Sequence, residues 1–570
     1  MDRARGPGAL IAHYLGPYRR RGSVLALLVL TDIAMVTVNP LIAAHFINQA
    51  AAGASTPELL RIAVGYLIIA VANLAVTLIS GRLAVGLAQH STNDLRIDLV
   101  DHVLQLDHAF LTRVPSGDLL ERIDGDTTTL EQYLSSFIFD VLAASLLTVG
   151  VVTVAVISDW RLGGALAVSG AIAFVLVVRA QGVARPWLRA ERRARSRLSG
   201  FLFERLSRRE DIRAASAENY TLDRLSEPLT GLRRAMARAG AGLRVSSSGL
   251  ELGVAIASAA VLALGGFLLT GNGVALGTVF LAYQYIGVLS NALYRVSQRL
   301  SDLATASGSL DRIADLLALP VAETPGPQRA VPGSDVEFRD VSLSYDGVRV
   351  VLREVSFRVP AGGALALIGR SGSGKSTASG LIWRAYDPDQ GTVTIGGVAT
   401  TDLPVRAVRA EVGVVTQETY LFHASLRDNV AVFDAAVEDG AIADALRAVG
   451  LSSWLADLPA GLDTVITGDG SSLSIGQRHL LSMARVLVRD PRVLVMDEVT
   501  SHLDPATERV VHDAMARLMA GRTTVLVTHR GQALDLVDQV VVLEAGAVTW
   551  QGPRDDVPVP FVSLLMKGTV

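Results

Sequence analysis

Cysteine is absent from this chain of 570 residues, which excludes disulfides, thiolate metal sites and cysteine nucleophiles. Lysine is nearly absent as well. Lys375 and Lys567 stand against 50 arginines, a bias that points to a GC-rich bacterial source. It also marks each lysine as a position where arginine's planar fork would not serve. Aromatic residues are only 5 % of the chain and the net charge is -3, which argues against a general nucleic-acid-binding role. What is abundant is aliphatic: 50 % of residues are hydrophobic and the mean hydropathy is +0.39. That is high for a soluble enzyme and low for a chain wholly in a membrane. The length calls for two or more domains, so a membrane part joined to a soluble part is expected.

The apolar stretches crowd before residue 300. Six spans are expected, near Ser23–Ile47, Leu59–Leu87, Phe137–Ile157, Leu162–Val178, Leu250–Thr270 and Val274–Leu293. Each reaches or approaches the ~20 apolar residues that a hydrocarbon core requires. Arg19, Arg20 and Arg21 precede the first span. Arg185, Arg189, Arg192, Arg193, Arg195 and Arg197 follow the fourth, whereas Asn48–Glu58 and Gly271–Gly273 hold no basic residue. The positive-inside bias places the N-terminus and both long connections in the cytoplasm. Those connections read as helical extensions of the spans, turning near Pro115–Asp118 and Arg209–Glu218, where another domain could be touched. Residues 1–20 read as an interfacial segment, with Leu10, Ile11, Tyr14, Leu15 and Tyr18 on one helical face. The transmembrane domain is expected over 21–316.

Residues 317–334 contain four prolines and read as a linker. Beyond it, over 335–570, alternation at Val336 and Phe338 begins a strand pattern. An apolar strand, Leu365–Ile368, leads into Gly369-Arg370-Ser371-Gly372-Ser373-Gly374-Lys375-Ser376-Thr377. This is the phosphate-binding loop G-x-x-x-x-G-K-[ST], whose glycines let backbone N–H groups converge on phosphate oxygens at a helix N-terminus. One of only two lysines falls where that motif demands one. Lys375 would reach the β- and γ-phosphates of ATP and Ser376 would hold Mg²⁺. A second apolar strand ends in Asp497 and Glu498; Asp497 would serve the magnesium shell and Glu498 would polarise the attacking water.

These motifs, in this order, resemble the nucleotide-binding domain of ATP-binding cassette (ABC) transporters. The resemblance implies that Tyr345 stacks on adenine and that Gln417 senses Mg²⁺ and the γ-phosphate. It further implies that Leu473-Ser474-Ile475-Gly476-Gln477 is the signature motif, that Asp504 ends the loop Ser501-His502-Leu503-Asp504, and that His529 is the switch histidine. Phe110 and Ser116–Arg122 resemble the first cytoplasmic loop of the exporter-type membrane domain. The fold expected is an α-helical six-span transmembrane domain followed by an α/β P-loop ATPase domain with a helical subdomain. Ile475 replaces a glycine, His502 stands where alanine is usual, and Gly468, with Asp469 after it, replaces a glutamate.

The family pattern implies a second half-transporter, because ATP lies between one chain's phosphate loop and the partner's signature. Ile475 and the missing glutamate favour a heterodimer over a homodimer. ATP-driven export of a small molecule, lipid or peptide across the bacterial cytoplasmic membrane is expected, with import on the same fold or a membrane-anchored regulatory ATPase as the alternatives. Substrate identity barely shows. Asp32 lies near the middle of the first span, where a carboxylate is costly, and is a candidate for the substrate cavity.

Overall fold

The computed structural model describes residues 7–271, 273–321, 331–345, 349–417, 419–467, 473–499 and 503–561. Lys567, Gly468, Asp469, Ser501 and His502 lie outside them. Packing divides the chain into two units, Met1–Asp101 with Gly117–Ala318, and His102–Ser116 with Leu319–Val570.

The first unit is helical. A short helix α1 (Pro7–Leu15) leads into α2 (Arg19–Ala51) and α3 (Thr56–Leu104). The short helices α4 (His108–Arg113) and α5 (Ser116–Leu120) come next, then α6 (Asp126–Phe137) and α7 (Ala144–Ser158), with π-helical turns at Glu121–Gly125 and Ile138–Ala143. After these come α8 (Trp160–Ser207), α9 (Arg209–Ala214), α10 (Glu218–Thr270) and α11 (Leu276–Ala318). Among the described residues, five stretches are long and apolar enough to cross a membrane: Gly8–Ala51, Thr56–Leu104, Ser116–Ser158, Glu251–Thr270 and Leu276–Val296. Trp160–Leu176 is a shorter apolar helix, which matches the marginal length of the fourth expected span. The sixth span starts its helix at Leu276, two residues later than the sequence pattern suggests. Asp159 caps α8 by accepting from the N–H groups of Arg161 and Leu162 at 2.9 and 3.1 Å, so the tight turn from α7 leaves fewer orphan donors.

The apolar face of α1 turns to protein. Leu10, Ile11, Tyr14 and Leu15 border a small gap closed by Ser91, Leu95, Leu130 and Leu134, and the Tyr14 and Tyr18 hydroxyls donate to Asp98 and Asp94 at 2.7 and 2.8 Å. Two carboxylates within reach give the phenol groups partners that a lipid interface would not.

The second unit is α/β. Its central sheet runs β12-β11-β3-β10-β9-β6, with β12 alone antiparallel. The strands are β3 (Ala364–Ile368), β6 (Val412–Val415), β9 (Val493–Asp497), β10 (Thr523–Val527), β11 (Gln539–Glu544) and β12 (Ala547–Pro553). An antiparallel sheet of β2 (Val350–Val359), β1 (Val336–Ser344), β4 (Gln390–Ile395) and β5 (Val398–Ala399) covers one face together with α12 (Lys375–Ile382). Leu365, Leu367, Val495 and Val525 pack on that side. Ile368, Met496 and Leu526 point the other way. There they meet α14 (Leu426–Ala431), α15 (Asp439–Ala448), α17 (Ile475–Arg489) and α18 (Pro505–Met519). Burial on both faces explains why these strands read as unbroken apolar runs. The remaining pieces are α13 (Val405–Glu411), α16 (Ser452–Asp457) and the pair β7 (Ala424–Ser425) with β8 (Val465–Ile466).

Candidate nucleotide site

Parallel strands deliver their C-terminal ends to one edge, and in sheets of this kind that edge is where ligands bind. Here β3, β10, β9 and β6 are neighbours in that order. Their loops carry residues 369–374, His529, Glu498 and Gln417 respectively, so register alone gathers side chains that lie far apart in sequence.

The phosphate loop depends on backbone that only glycine adopts without strain. Gly374 has φ +101 and caps α12. A Cβ at Gly369 would come within 2.2 Å of the Leu543 carbonyl oxygen. Lys375, only 5 % exposed, donates from Nζ to the carbonyls of Gly369 and Arg370 at 3.0 Å each. Burial lowers its pKa, and Glu498 and Asp497 oppose that shift. The loop therefore holds a cation inside the turn at the N-terminus of α12, where a phosphate is favoured. Ser371, Gly372 and Ser373 complete the turn, and the Ser373 hydroxyl is buried without a partner.

Asp497 ends β9 and accepts a hydrogen bond from Ser376, while its Oδ1 is buried with no partner. Burial raises its pKa, and the bond from Ser376 works against the rise. A buried orphan carboxylate oxygen beside a hydroxyl is a hard-donor pair that fits Mg²⁺, a cation that takes few protein ligands when phosphates supply the rest. Gln417, exposed at the end of β6, can complete the set. Among the described residues no group of three or more His, Asp or Glu forms a metal cage by itself.

Pairing of Val527 with Asp497 sets β10 beside β9. Two residues past that pair, His529 Nε2 lies 2.9 Å from Glu498 Oε1. Glu498 takes φ +48, an unusual conformation for a residue with a side chain, and its N–H donates to the Val527 carbonyl at 3.0 Å. Burial, then Lys375, lowers the His529 pKa, with Glu498 opposing. Burial thus favours the neutral ring, which can offer one N–H to the carboxylate.

Tyr345, at the end of β1, reaches Thr377 of α12, hydroxyl to hydroxyl at 2.7 Å. It meets Tyr386 edge to face, with ring centroids 5.1 Å apart. Burial, and then Tyr345, push the Tyr386 phenol up to about 12. Ser474, Ile475, Gly476, Gln477 and Asp504 form a second cluster, at the starts of α17 and α18. Ser474 and Gln477 cap α17 reciprocally, at 2.9 and 3.1 Å. The N–H of Thr507 donates to Asp504 at 3.0 Å. Ile475 is 41 % exposed, so the departure from glycine strains nothing within the chain.

Several partners were not anticipated from sequence. His479 on α17 is buried and its Nε2 meets the Gln417 carbonyl at 3.2 Å, which ties the signature helix to the Gln417 loop. Arg485 donates from the same helix to the carbonyls of Asn429 and Tyr420. In residues 102–116, Arg113 donates to the Tyr345 carbonyl, Thr112 hydrogen-bonds Tyr386, and Leu106 bridges Val321. That segment ends two residues into the turn at Pro115–Asp118 expected to make such contacts. Asp32 accepts from Asn73 at 2.9 Å and Thr77 at 2.5 Å, both through Oδ1, and so fastens α2 to α3.

Comparison with known proteins covers nearly the whole chain. The model of the ABC transporter transmembrane region matches residues 23–293, and that of the ABC transporter domain matches residues 352–501. An ABC transporter ATP-binding protein of Bacillus subtilis (strain 168), YknV, is 30 % identical over 566 residues, 98 % of this chain and 92 % of that protein. An ATP-dependent lipid A-core flippase of Desulfotalea psychrophila is 28 % identical, with 82 % of each chain covered. The structure of a bacterial Atm1-family ABC exporter with ATP bound shares the fold, with a TM-score of 0.82 at 22 % identity, covering 97 % of this chain and 98 % of that one. With membrane region and ATPase fused in one polypeptide, this multi-pass chain belongs to the ABC transporter family as a half-transporter of the exporter type.

Proposed function

We propose that the chain is one half of an ATP-driven exporter of the bacterial cytoplasmic membrane, carrying a small molecule, lipid or peptide outward. The N-terminus and the ATPase unit are cytoplasmic. The observation that carries this is the gathering of Lys375, Asp497, Glu498 and His529 at one sheet edge, in a chain whose other half is a bundle of membrane-length helices. The arginine-rich cytoplasmic ends of α8 and α10 support the orientation. The flippase relative supports an amphipathic cargo.

Residues 369–377 hold the triphosphate, with Lys375 neutralising its terminal oxygens, and Tyr345 lies against the base. Ser376, Asp497 and Gln417 would hold Mg²⁺, which would offset phosphate charge. Glu498 orients and polarises water, and His529, hydrogen-bonded to it at 2.9 Å, fixes the carboxylate and faces the γ-phosphate. Phosphoryl transfer asks the protein mainly for position and charge. Ser474, Ile475, Gly476, Gln477 and Asp504 serve the partner's nucleotide. Asp32 accepts both of its hydrogen bonds through Oδ1 and so serves first to join α2 to α3. Inside-out vesicles given MgATP outside should accumulate a cargo that right-side-out vesicles do not take up. Uptake only in the right-side-out orientation would reverse the direction, and movement of no compound in either would refute transport.

A further inference from the structure

Beyond the membrane α8 and α10 run beside one another, and between them lies a cavity of about 1020 Å³. That volume is at the upper end for a small-molecule site. Arg193, Arg197, Phe201 and Arg205 follow one another at steps of four along α8, so they share one face of the helix. Arg224 and Arg234 close the cavity from α10, and small residues such as Ala194 and Gly231 leave the space between. Among the described residues Glu227 is the only acid in the lining. Five arginines against one glutamate leave four positive charges unmatched.

Among the described residues no carboxylate pairs with any of the five arginines. Glu191, on the same helix, is taken by Arg195 at 2.8 Å. Arg224 donates from Nε to the Tyr220 hydroxyl at 3.2 Å. The guanidinium groups of Arg205 and Arg224 lie over the rings of Phe201 and Tyr220, at 5.2 and 5.3 Å from their centroids, which holds both cations in place. The Arg205 Nε is buried and has no acceptor, and an unpaired buried donor of a charged group is costly. Like charges four apart on a helix also repel, so the empty cavity costs stability. Membrane orientation does not call for this charge. Arg205 and Arg224 each stand about 40 Å along their helices from the nearest span. That is beyond the roughly 15–20 residues over which basic side chains orient a span.

We propose that this cavity binds a small cytosolic molecule carrying two or more phosphate groups. A phosphate monoester carries about −1.5 to −2 charges at pH 7, so two of them answer the four unmatched arginines. Guanidinium forks also meet phosphate oxygens two at a time. Carboxylates carry one charge each, so about four would be needed for the same balance. The five arginines stand about 23–41 Å along their helices from the nearest span, out of reach of lipid headgroups, which selects a soluble ligand. Bound between α8 and α10, it clamps the two helices together. The cavity is built from the first unit alone, so the proposal does not rest on the transporter assignment.

The probe is inorganic tripolyphosphate without magnesium, titrated by calorimetry into the full-length chain carrying Lys375→Ala, so that the phosphate loop contributes little. Saturable binding is expected, together with a higher melting temperature. Adding Arg197→Gln with Arg224→Gln should weaken that binding by about 10-fold or more. The unliganded melting temperature should stay level or rise, because repulsion is relieved. Absence of saturable binding overturns the proposal, as would follow if carboxylates of a second copy already filled the cavity. Equal affinity with and without the two arginines overturns it too, as does citrate binding as tightly as tripolyphosphate. Should the double variant fail to fold, Arg205→Gln takes its place, and unchanged affinity in that folded protein overturns the proposal. ADP and fructose 1,6-bisphosphate separate a nucleotide from a sugar phosphate. Tighter binding of either, lost with the same arginines, upholds the proposal and names the source, and binding of neither overturns it. Hydrolysis is not the readout, so failure here leaves the transporter assignment standing.

Discussion

The two units bury their side chains in opposite senses. In the ATPase unit, Leu367, Met496, Leu526 and Val542 are wholly buried, and polar chemistry is confined to one edge of the sheet. In the membrane unit, Leu67, Ile68, Val71, Leu74 and Leu78 along α3 stand outward, each more than half exposed in the isolated chain, while Asp32, Asn73 and Thr77 pair between helices. Water as solvent drives apolar groups to the centre, whereas lipid accepts them at the surface and pushes polar groups inward to find partners. One consequence is that function in the first unit is spread over helix faces, while in the second it is concentrated in four loops. Single changes should accordingly abolish the second unit's activity and only grade the first's.

The largest contrast should come from chelation. Removing divalent cations with EDTA should drop ATP hydrolysis to background while helix content by circular dichroism stays unchanged, because only the donors at Ser376, Asp497 and Gln417 would lose a ligand. Hydrolysis surviving chelation would break the comparison at its strongest point. Next, Lys375→Ala removes the buried cation. At about 1.5–3 kcal/mol for a charge-assisted hydrogen bond, nucleotide affinity should fall roughly 10- to 100-fold in a binding titration.

A matched pair of glycines sharpens the contrast between units. A Cβ at Gly277 would stand 2.1 Å from the Ala44 carbonyl oxygen, and one at Gly476 would stand 2.1 Å from Thr507 Cγ2. Overpacking costs about 1–3 kcal/mol. Gly277→Ala should lie at the upper end, because backbone between α11 and α2 cannot rotate away, and should lower thermal stability while sparing nucleotide binding. Gly476→Ala should lie at the lower end, since the Thr507 methyl can turn, yet it should slow hydrolysis in the assembled dimer. The smallest effect is expected at Asp32→Asn, about 1 kcal/mol or less, because an amide oxygen can still accept from Asn73 and Thr77. Loss of all transport in that variant would put specific chemistry back into the first unit.

Legibility in sequence follows the same division. The phosphate loop could be read because its geometry forbids other residues: no side chain fits at Gly369, and Lys375 stood out in a chain that otherwise uses arginine. The membrane helices could be read from hydropathy, and the continuation of α8 to Ser207 and of α10 from Glu218 agrees with the helical extensions expected to turn near Arg209–Glu218. The adjacency of Glu498 and His529 could not be read, since it comes from the register of β9 on β10 between residues 31 apart in sequence. His479 was equally silent, because a buried histidine on a helix gives no sign that its ring meets the Gln417 carbonyl. The contacts of residues 102–116 were expected from the turn at Pro115–Asp118. They fall mostly earlier, at Leu106, Thr112 and Arg113, because those residues, and not the turn, face Val321, Tyr386 and Tyr345.

The most direct measurement compares ATP turnover by the reconstituted chain with that of Glu498→Gln, with nucleotide binding followed in the same samples. Turnover should fall by about 10²-fold or more, the scale of losing a general base, with MgATP still bound, since glutamine keeps the shape and loses only the charge. Near-normal turnover in that variant would contradict cleavage of the triphosphate beside Glu498.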